Sequence, residues 1–544
     1  MCLKGISDLG RYGFGLECQV DDELLFTIHN ARMTNYDIIA YPDHAHAQTH
    51  PDRLAVVGRL YGLQPAPISM CRVLELGCGA GGNLVPLAVQ YPAGSFQGID
   101  LAVKPIAQGN QLINDLSLTN IRLTPGDLST IDASWGNFDY IIAHGVYSWV
   151  PATVRQALLR ICRERLAPQG IAFVSYSALP GGHLTRVVRD LMLFHTRGVN
   201  DPDERLRQAL AAVKFVGLGQ DTTDEYRLWM KSELDRIQEH EEGHLFHDEL
   251  AEINDPCYFS EFIGQAGKHG LQYLGETDFY EMTDYPFKDE VRAGLRQIAA
   301  NRLVREQYLD FLKCRRFRQT LLCHREISLR AHPDPDAIRQ FLVSSTALPV
   351  SEAPDGEGVT VFKARTGARF ETDFPAGKVA LARLKAAWPA PVAFDDLCQL
   401  SAGPAAETGG DSQAGPDLAT KLAAFLFELY SGGIVQLHLS KPLCAPSPST
   451  RPTASPLARW QAARGQFVTT AFHLTIKLED AIGRKLLTAL DGTRDRTALV
   501  EELLPLLQSQ SPLPPDQADA MRHEIKSKLE PNLETLARLG LLIG

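Results

Sequence analysis

The sequence predicts an α/β protein: a doubly wound, seven-stranded, mainly parallel sheet with a helical insertion and additional α+β domains towards the C-terminus. Three observations predict it. Short apolar runs alternate with stretches of helical periodicity from residue 71 to residue 330. The first run passes through a glycine-rich turn directly into a helix, in Cys71-Arg-Val-Leu-Glu-Leu-Gly-Cys-Gly-Ala-Gly-Gly-Asn83. The next runs end in acidic residues, at the carboxyl edge where open α/β sheets bind ligands.

The first strand ends at Glu75, beside a turn in which Gly77, Gly79, Gly81 and Gly82 let a ligand approach the main chain closely. The second, Ser95-Phe-Gln-Gly-Ile-Asp100, ends in a carboxylate at the spacing of a ribose-binding acid, followed by Leu101. The third, Asn120-Ile-Arg-Leu-Thr-Pro-Gly-Asp127-Leu128, brings Gly126, Asp127 and Leu128 to a position suited to an adenine amine. The fourth is Phe138-Asp-Tyr-Ile-Ile-Ala-His144. A helix over 151–166 opens on proline, which is pre-organised for a first turn. The fifth strand covers 170–176 and a helix follows over 183–195. Residues 200–255 are helical, charged and too long for a simple crossover, hence an insertion. A helix over 258–269 leads to the sixth strand at 271–276; helix over 288–312 precedes the seventh at 319–327, closing an antiparallel hairpin.

A chain of 544 residues implies three or four domains, and 44% hydrophobic content supplies an ordinary core. The expected division is a leader over 1–33, a core over 34–196 and 257–330, and an insertion over 197–256. A winged-helix-like middle domain over 331–440 and a helical domain over 457–544 follow. The leader lacks periodicity and a second methionine stands at Met33, so disorder or an upstream start is expected. Stretches 401–416 and 442–456 are rich in Gly, Ser and Pro and read as breaks. The net charge of −11 gives no whole-protein attraction to nucleic acid or anionic membrane. The densest basic cluster, Lys313-Cys-Arg-Arg-Phe-Arg318, reads as the approach to a strand. Without a basic stripe, a DNA-reading winged helix is disfavoured against a scaffold for protein contacts. Ten cysteines with no C-x-x-C pairing fit reduced thiols in a cytoplasmic protein. No apolar run approaches the roughly 18–20 residues of a membrane span.

A glycine turn alone does not select a cofactor. Glu75 would welcome a cationic amino-acid end, and Gly77, Gly79 and Gly82 only partly match the Gly-x-Gly-x-x-Gly spacing that a pyrophosphate needs. With Asp100, Asp127 and the fourth strand in order, the reading moves from NAD to S-adenosylmethionine. The ordered set resembles the class I S-adenosylmethionine-dependent methyltransferases over about residues 34–330, whose Rossmann-like sheet the predicted topology matches. The cofactor set is then Glu75, Gly77, Gly79, Gly81, Asn83, Asp100, Leu101, Gly126, Asp127 and Leu128, with His50 and Arg53 from a preceding segment that folds over the cofactor. Arg53 would pair with the methionyl carboxylate or stand as a helix-surface charge.

Methyl transfer is a displacement at carbon, in which alignment of the reacting pair supplies roughly 7–11 kcal/mol. His144-Gly-Val-Tyr147-Ser-Trp149-Val-Pro151 faces the acceptor position and lacks the Asp/Asn/Ser-Pro-Pro-aromatic tetrapeptide of enzymes that methylate base amines. Tyr147 and Trp149 could enclose a lysine stem and attract its ammonium. That amine pays about 4.6 kcal/mol to be neutral at pH 7. His144 or a tyrosine hydroxyl would take its proton, with Tyr176 expected at the same mouth. The plainer reading packs Trp149 beneath the next helix and makes His144 a strand cap.

Gln48-Thr-His-Pro-Asp-Arg-Leu54, Leu74-Glu-Leu-Gly-Cys78, the 144–151 segment and Phe317-Arg-Gln-Thr-Leu-Leu-Cys323 together resemble bacterial methyltransferases with an attached regulatory domain, including rickettsial-type protein-lysine methyltransferases. That resemblance implies lysine N-methylation of a protein substrate, a homodimer through the helical insertion, and middle and C-terminal domains that help hold the substrate. The alternatives are a small-molecule amine, hydroxyl or carboxylate acceptor, and a non-catalytic scaffold. His240-Glu-Glu-Gly-His244 satisfies H-E-x-x-H, but Gly243 weakens a helix there and no metal is expected.

Overall fold

In a computed structural model of the chain, seven strands form one sheet in the order β3-β2-β1-β4-β5-β7-β6. They are β1 (Arg72–Leu76), β2 (Ser95–Asp100), β3 (Ile121–Pro125), β4 (Phe138–Ala143), β5 (Leu166–Ser177), β6 (Leu271–Glu276) and β7 (Phe317–His324). The structure describes residues 38–39, 41–220, 224–238, 242–351, 358–364, 367–401, 414–510 and 518–544; the expected leader lies outside them. Pairing from β3 through to β5 is parallel, and β7 runs antiparallel between β5 and β6. This is the seven-stranded, mainly parallel Rossmann-like sheet that the sequence predicts. Every residue of β4 is buried, as in a central parallel strand covered on both faces. β1 lies between β2 and β4, where the order of strand addition reverses, and a crevice opens beyond the carboxyl ends of such a pair.

The Pro51–Leu60 helix starts on proline and buries eight of its ten residues. A surface helix buries one stripe; this one is covered on opposite sides. One apolar cluster runs from Phe173 and Leu321 of the sheet through Leu54 and Val57 to Ile338, Val343, Leu426 and Leu437 of the middle region. Asp52 extends the contact by accepting hydrogen bonds from Leu439 N (3.1 Å) and Ser440 Oγ (2.8 Å). Burial pushes its carboxyl up to about 6.

The insertion consists of helices Gly182–His195, Pro202–Leu218 and Glu225–Gln238. Val188, Met192, Leu206, Val213 and Leu234 form its own core, so the helix before residue 197 belongs to the same bundle. In the middle region Leu342–Ser344 lies between Val392–Ala393 and Gln436–His438, and Leu348–Ser351, Thr360–Lys363 and Arg369–Thr372 form a second small sheet. The C-terminal region has a separate core that includes Leu487, Leu499, Leu533 and Leu541. It also carries a hairpin, Phe467–Thr469 with Thr475–Lys477, where periodicity shows helices alone. Strands of three residues are too short to display alternation.

Between β6, β7 and the Arg302–Lys313 helix lies a buried ion network. Arg318 is 1% exposed and bonds Glu276, Glu306 and Asp310, with Arg315 ion-paired to Asp310 at 2.9 Å. The basic cluster at 313–318 is therefore partly interior, and its charge is consumed by these carboxylates. Its guanidinium also lies 4.1 Å from the centre of the Phe259 ring. Arg318→Ala leaves three buried carboxylates with reduced compensation and should cost about 3–5 kcal/mol of stability in urea denaturation. Arg330→Ala, which breaks an exposed pair with Asp334, should cost under about 1 kcal/mol in the same measurement.

Candidate active site

β1 delivers Glu75 to the crevice and the chain then turns sharply. Gly77 adopts φ +77°, and a Cβ there would come within 2.5 Å of Val146 Cγ2, so the turn has room only for glycine. Gly77 N and Cys78 N both donate to Ile99 O, at 2.8 and 3.2 Å, which clamps the turn onto β2. Asp100 accepts from Gly79 N (2.9 Å) and Ala102 N (2.8 Å). Gly126 N donates to Asp100 O at 2.8 Å, bringing the end of β3 alongside. Leu101 is 60% exposed beside this edge, while Leu128 packs partly against the core. Asp127 is exposed and caps its own turn through Ser129 N (2.8 Å). Glu75, Gly77, Gly79, Gly81, Asn83, Asp100, Leu101 and Gly126 thus gather along one edge.

Glu75 is 3% exposed. Its Oε1 accepts from Asn83 Nδ2 at 2.9 Å; its Oε2 is buried with no partner. Burial pushes the carboxyl up to about 8, with Asp43 and Asp100 adding to the rise and the Asn83 bond opposing it. Asp43, exposed at the lip of the turn, accepts from Gly82 N at 2.7 Å. Three carboxylates therefore crowd one glycine turn, and an arriving cation relieves both their repulsion and the unpartnered oxygen. The ammonium and sulfonium of S-adenosylmethionine fit that requirement.

Residues 41–50 cross over this turn. His46 N and Thr49 Oγ1 donate to Asn83 Oδ1 at 3.1 and 3.0 Å. The His46 ring stacks on His144, at the end of β4, with centroids 4.0 Å apart and planes 22° apart. Phe173 and Phe317 lie 6.0 and 6.3 Å from the His144 ring. Burial pushes His46 down to about 4 and His144 well below its ordinary value, so both imidazoles are neutral. Local sequence points to His144; Asp43, His46 and the more distant His473, whose Nε2 lies 2.7 Å from Asn83 Oδ1, carry no local signal.

Other expected residues have different neighbours. Tyr147 is 4% exposed, with its ring edge-on to Phe262 at 5.0 Å. Tyr176 is fully buried, stacks on Phe262 at 4.2 Å and shares a hydrogen bond of 3.2 Å with Thr320 Oγ1. Both tyrosines belong to the packing layer beneath the strand ends, because β5 aims residue 176 towards the Phe259–Lys268 helix. This corrects the expectation that they face the acceptor mouth. Trp149 is half-buried and its indole N–H has no partner. His50 caps the Pro51–Leu60 helix by accepting from Asp52 N (3.3 Å). Arg53 pairs with Asp278 and bonds Thr277 O at the end of β6, so its charge is already matched. His240 lies outside the described residues; His244 packs edge-on to Tyr41 at 4.9 Å. Among the described residues no group of three metal-ligating side chains occurs.

Three family profiles match in succession: a methyltransferase domain over 73–170, a "Predicted methyltransferase regulatory domain" over 241–324, and a "PKMT, C-terminal winged helix domain" over 450–541. The winged-helix match thus falls on the region with the Phe467–Lys477 hairpin rather than on 331–440. An uncharacterized protein of Rickettsia prowazekii (strain Madrid E) is 30% identical over 93% of this chain and 93% of its own. A second from the same organism is 35% identical over 45% of this chain and 99% of its own. The solved structure of PKMT2 from Rickettsia typhi superposes with TM-score 0.82 at 27% identity, covering 93% of this chain and 100% of that one; its complex with AdoHcy gives 0.81.

The state of Glu75 sets a pH dependence. Below its value of about 8 the free protein holds Glu75 mainly protonated, and an ammonium ligand requires the carboxylate. Binding of S-adenosylhomocysteine should therefore release a proton and weaken by up to roughly tenfold per pH unit as pH falls from 8 to 6. Calorimetry in buffers of different ionisation heat measures both, and Glu75→Gln should bind weakly with no such slope. A flat wild-type profile would contradict the assignment.

Proposed function

This chain belongs to the class I S-adenosylmethionine-dependent methyltransferases with an attached regulatory domain, and from that premise we propose that it N-methylates lysine side chains of a protein substrate. The observation that carries the proposal is the uncharged, aromatic lining at the end of β4: stacked His46 and His144 with a 37%-exposed Phe317 edge-on to His144, backed by the buried Phe173. Ring faces attract an alkylammonium, and enclosure away from water lowers the cost of making it neutral. The PKMT descriptions of the relatives support the same acceptor.

Bound along the β1–β2 edge, S-adenosylmethionine supplies a methyl carbon activated by its sulfonium. The chain's own residues hold, orient and dry the acceptor. An imidazole at about 4, as in His46, is far too weak a base to strip an ammonium whose ordinary value is about 10.4. Burial pushes Tyr147 up to about 12 and Tyr176 well above its ordinary value, so their hydroxyls are poor alternatives. His46 and His144 instead accept a hydrogen bond that aims the amine lone pair, and the proton leaves to water before the amine is enclosed. Exposed Phe194, Phe215 and Leu218 on the insertion support a homodimer through those helices.

Incubation with methyl-labelled cofactor and cell lysate should give base-stable label in protein, recovered as methyl-lysine after hydrolysis; label confined to small molecules would sink the proposal. With a protein acceptor in hand, the rate at subsaturating acceptor should rise roughly tenfold per unit from pH 7 to 9, as the free amine fraction does. A plateau already reached near pH 7 would point to a strong internal base instead. Phe215→Glu with Leu218→Glu should yield a monomer by light scattering.

A further inference from the structure

His473 reaches the donor end of the sheet from the far end of the chain. It lies in the turn that joins Phe467–Thr469 to Thr475–Lys477, fully buried, at φ +58°. That left-handed conformation costs a non-glycine residue about 1–2 kcal/mol, so a compensating contact is needed to keep histidine there. The contact is Nε2 to Asn83 Oδ1, 2.7 Å across 390 positions of sequence.

The direction of this bond follows from its neighbours. The main-chain N–H of His46 lies 3.1 Å from the same Asn83 atom, and a main-chain N–H only donates. That atom is therefore the amide oxygen, and the amide nitrogen faces Glu75 Oε1 at 2.9 Å. His473 must then carry its proton on Nε2 and donate. Its Nδ1, buried with no partner, is then the unprotonated nitrogen of the neutral ring. The groups around it agree: His50 stands edge-on at 5.4 Å, and burial with the neighbouring His50 and His46 holds His473 well below its ordinary value. The same hairpin steadies the segment over the glycine turn, since Thr475 Oγ1 accepts from Ala45 N at 3.0 Å and Phe467 packs 5.1 Å from His44.

We propose that His473 is a positioning residue of the donor site: carried in by the C-terminal domain, it fixes the Asn83 amide so that its nitrogen, not its oxygen, meets Glu75. With the nitrogen there, Glu75 can release its proton as the donor arrives, one carboxylate oxygen held by the amide N–H and the other left to the donor's ammonium. With the amide turned over, an oxygen would face Glu75, which would have to keep a proton and could no longer pair with the cation. Donor binding therefore depends on the docked C-terminal domain. The inference rests on the reading of Glu75 as the carboxylate that meets the donor's amino-acid end.

The test is calorimetry of S-adenosylhomocysteine binding to the full-length protein across pH 6–9. His473→Gly removes the ring and is at ease at this φ, and His473→Gln restores an N–H donor. His473→Asn, which tolerates the left-handed backbone with a shorter amide, makes the same comparison should the glycine variant not fold. We expect His473→Gly to weaken binding about tenfold and to shift the pH at which affinity levels off upward, with His473→Gln recovering to within about threefold of wild type. In the Glu75→Gln background, His473→Gly should add almost nothing, the signature of two residues acting in series. Wild-type affinity and pH profile in His473→Gly, or a loss that adds in full to that of Glu75→Gln, would overturn the inference. If Glu75→Gln alone binds like wild type, the reading of Glu75 falls and this inference with it. If Glu75→Gln loses affinity and His473→Gly does not, only the inference falls.

Discussion

Burying a carboxylate is costly unless it is paired, and Glu75 is buried with one oxygen bonded to Asn83 and the other to nothing. Satisfying that one amide organises much of the molecule. Asn83 receives donors from His46 and Thr49 of the overlying segment and from His473 of the C-terminal hairpin. Two stretches that are remote from Asn83 in sequence, residues 46–49 and the C-terminal hairpin, must both be docked before the amide is held. The remaining free oxygen, with Asp43 and Asp100 beside it, then selects a cationic ligand by electrostatics.

The same economy joins the sheet to the middle region. Because the Pro51–Leu60 helix is apolar on opposite sides, the methyltransferase core and the middle domain share one hydrophobic cluster. Separating them would expose Leu54 and Val57 and would strip Asp52 of its hydrogen bonds from Leu439 and Ser440. The middle region is accordingly structural to the site, and domain boundaries drawn from composition cut through a continuous core.

For the alkylamine acceptor proposed above, the chemistry would be one of dryness and orientation. The neutral stacked imidazoles and the Phe317 ring would offer such an amine attraction and a lone-pair partner without a strong base. That division of labour, carboxylates for the donor and aromatic rings for the acceptor, follows from which strand ends supply each wall: β1 and β2 on one side, β4 on the other.

The glycine turn, the acids at strand ends and the order of strands and helices were legible in the sequence because each depends on local backbone geometry or on short-range periodicity. So Glu75, Asp100 and the Gly77 turn stand where their spacing predicts, and the family resemblance rests on those same local motifs. Which face of β5 carries Tyr176, how Tyr147 packs on Phe262 and whether Arg53 already has a carboxylate partner depend on neighbours that spacing does not reveal. His46 and His473 were invisible for the same reason. Their roles exist only once residues 37 and 390 positions from Asn83 meet its amide oxygen in a space too dry for water to substitute. The sequence by itself determined the donor fold and the residue types at its edge; the tertiary structure alone decided which distant side chains complete it, because burial and hydrogen-bond satisfaction are properties of the packed chain.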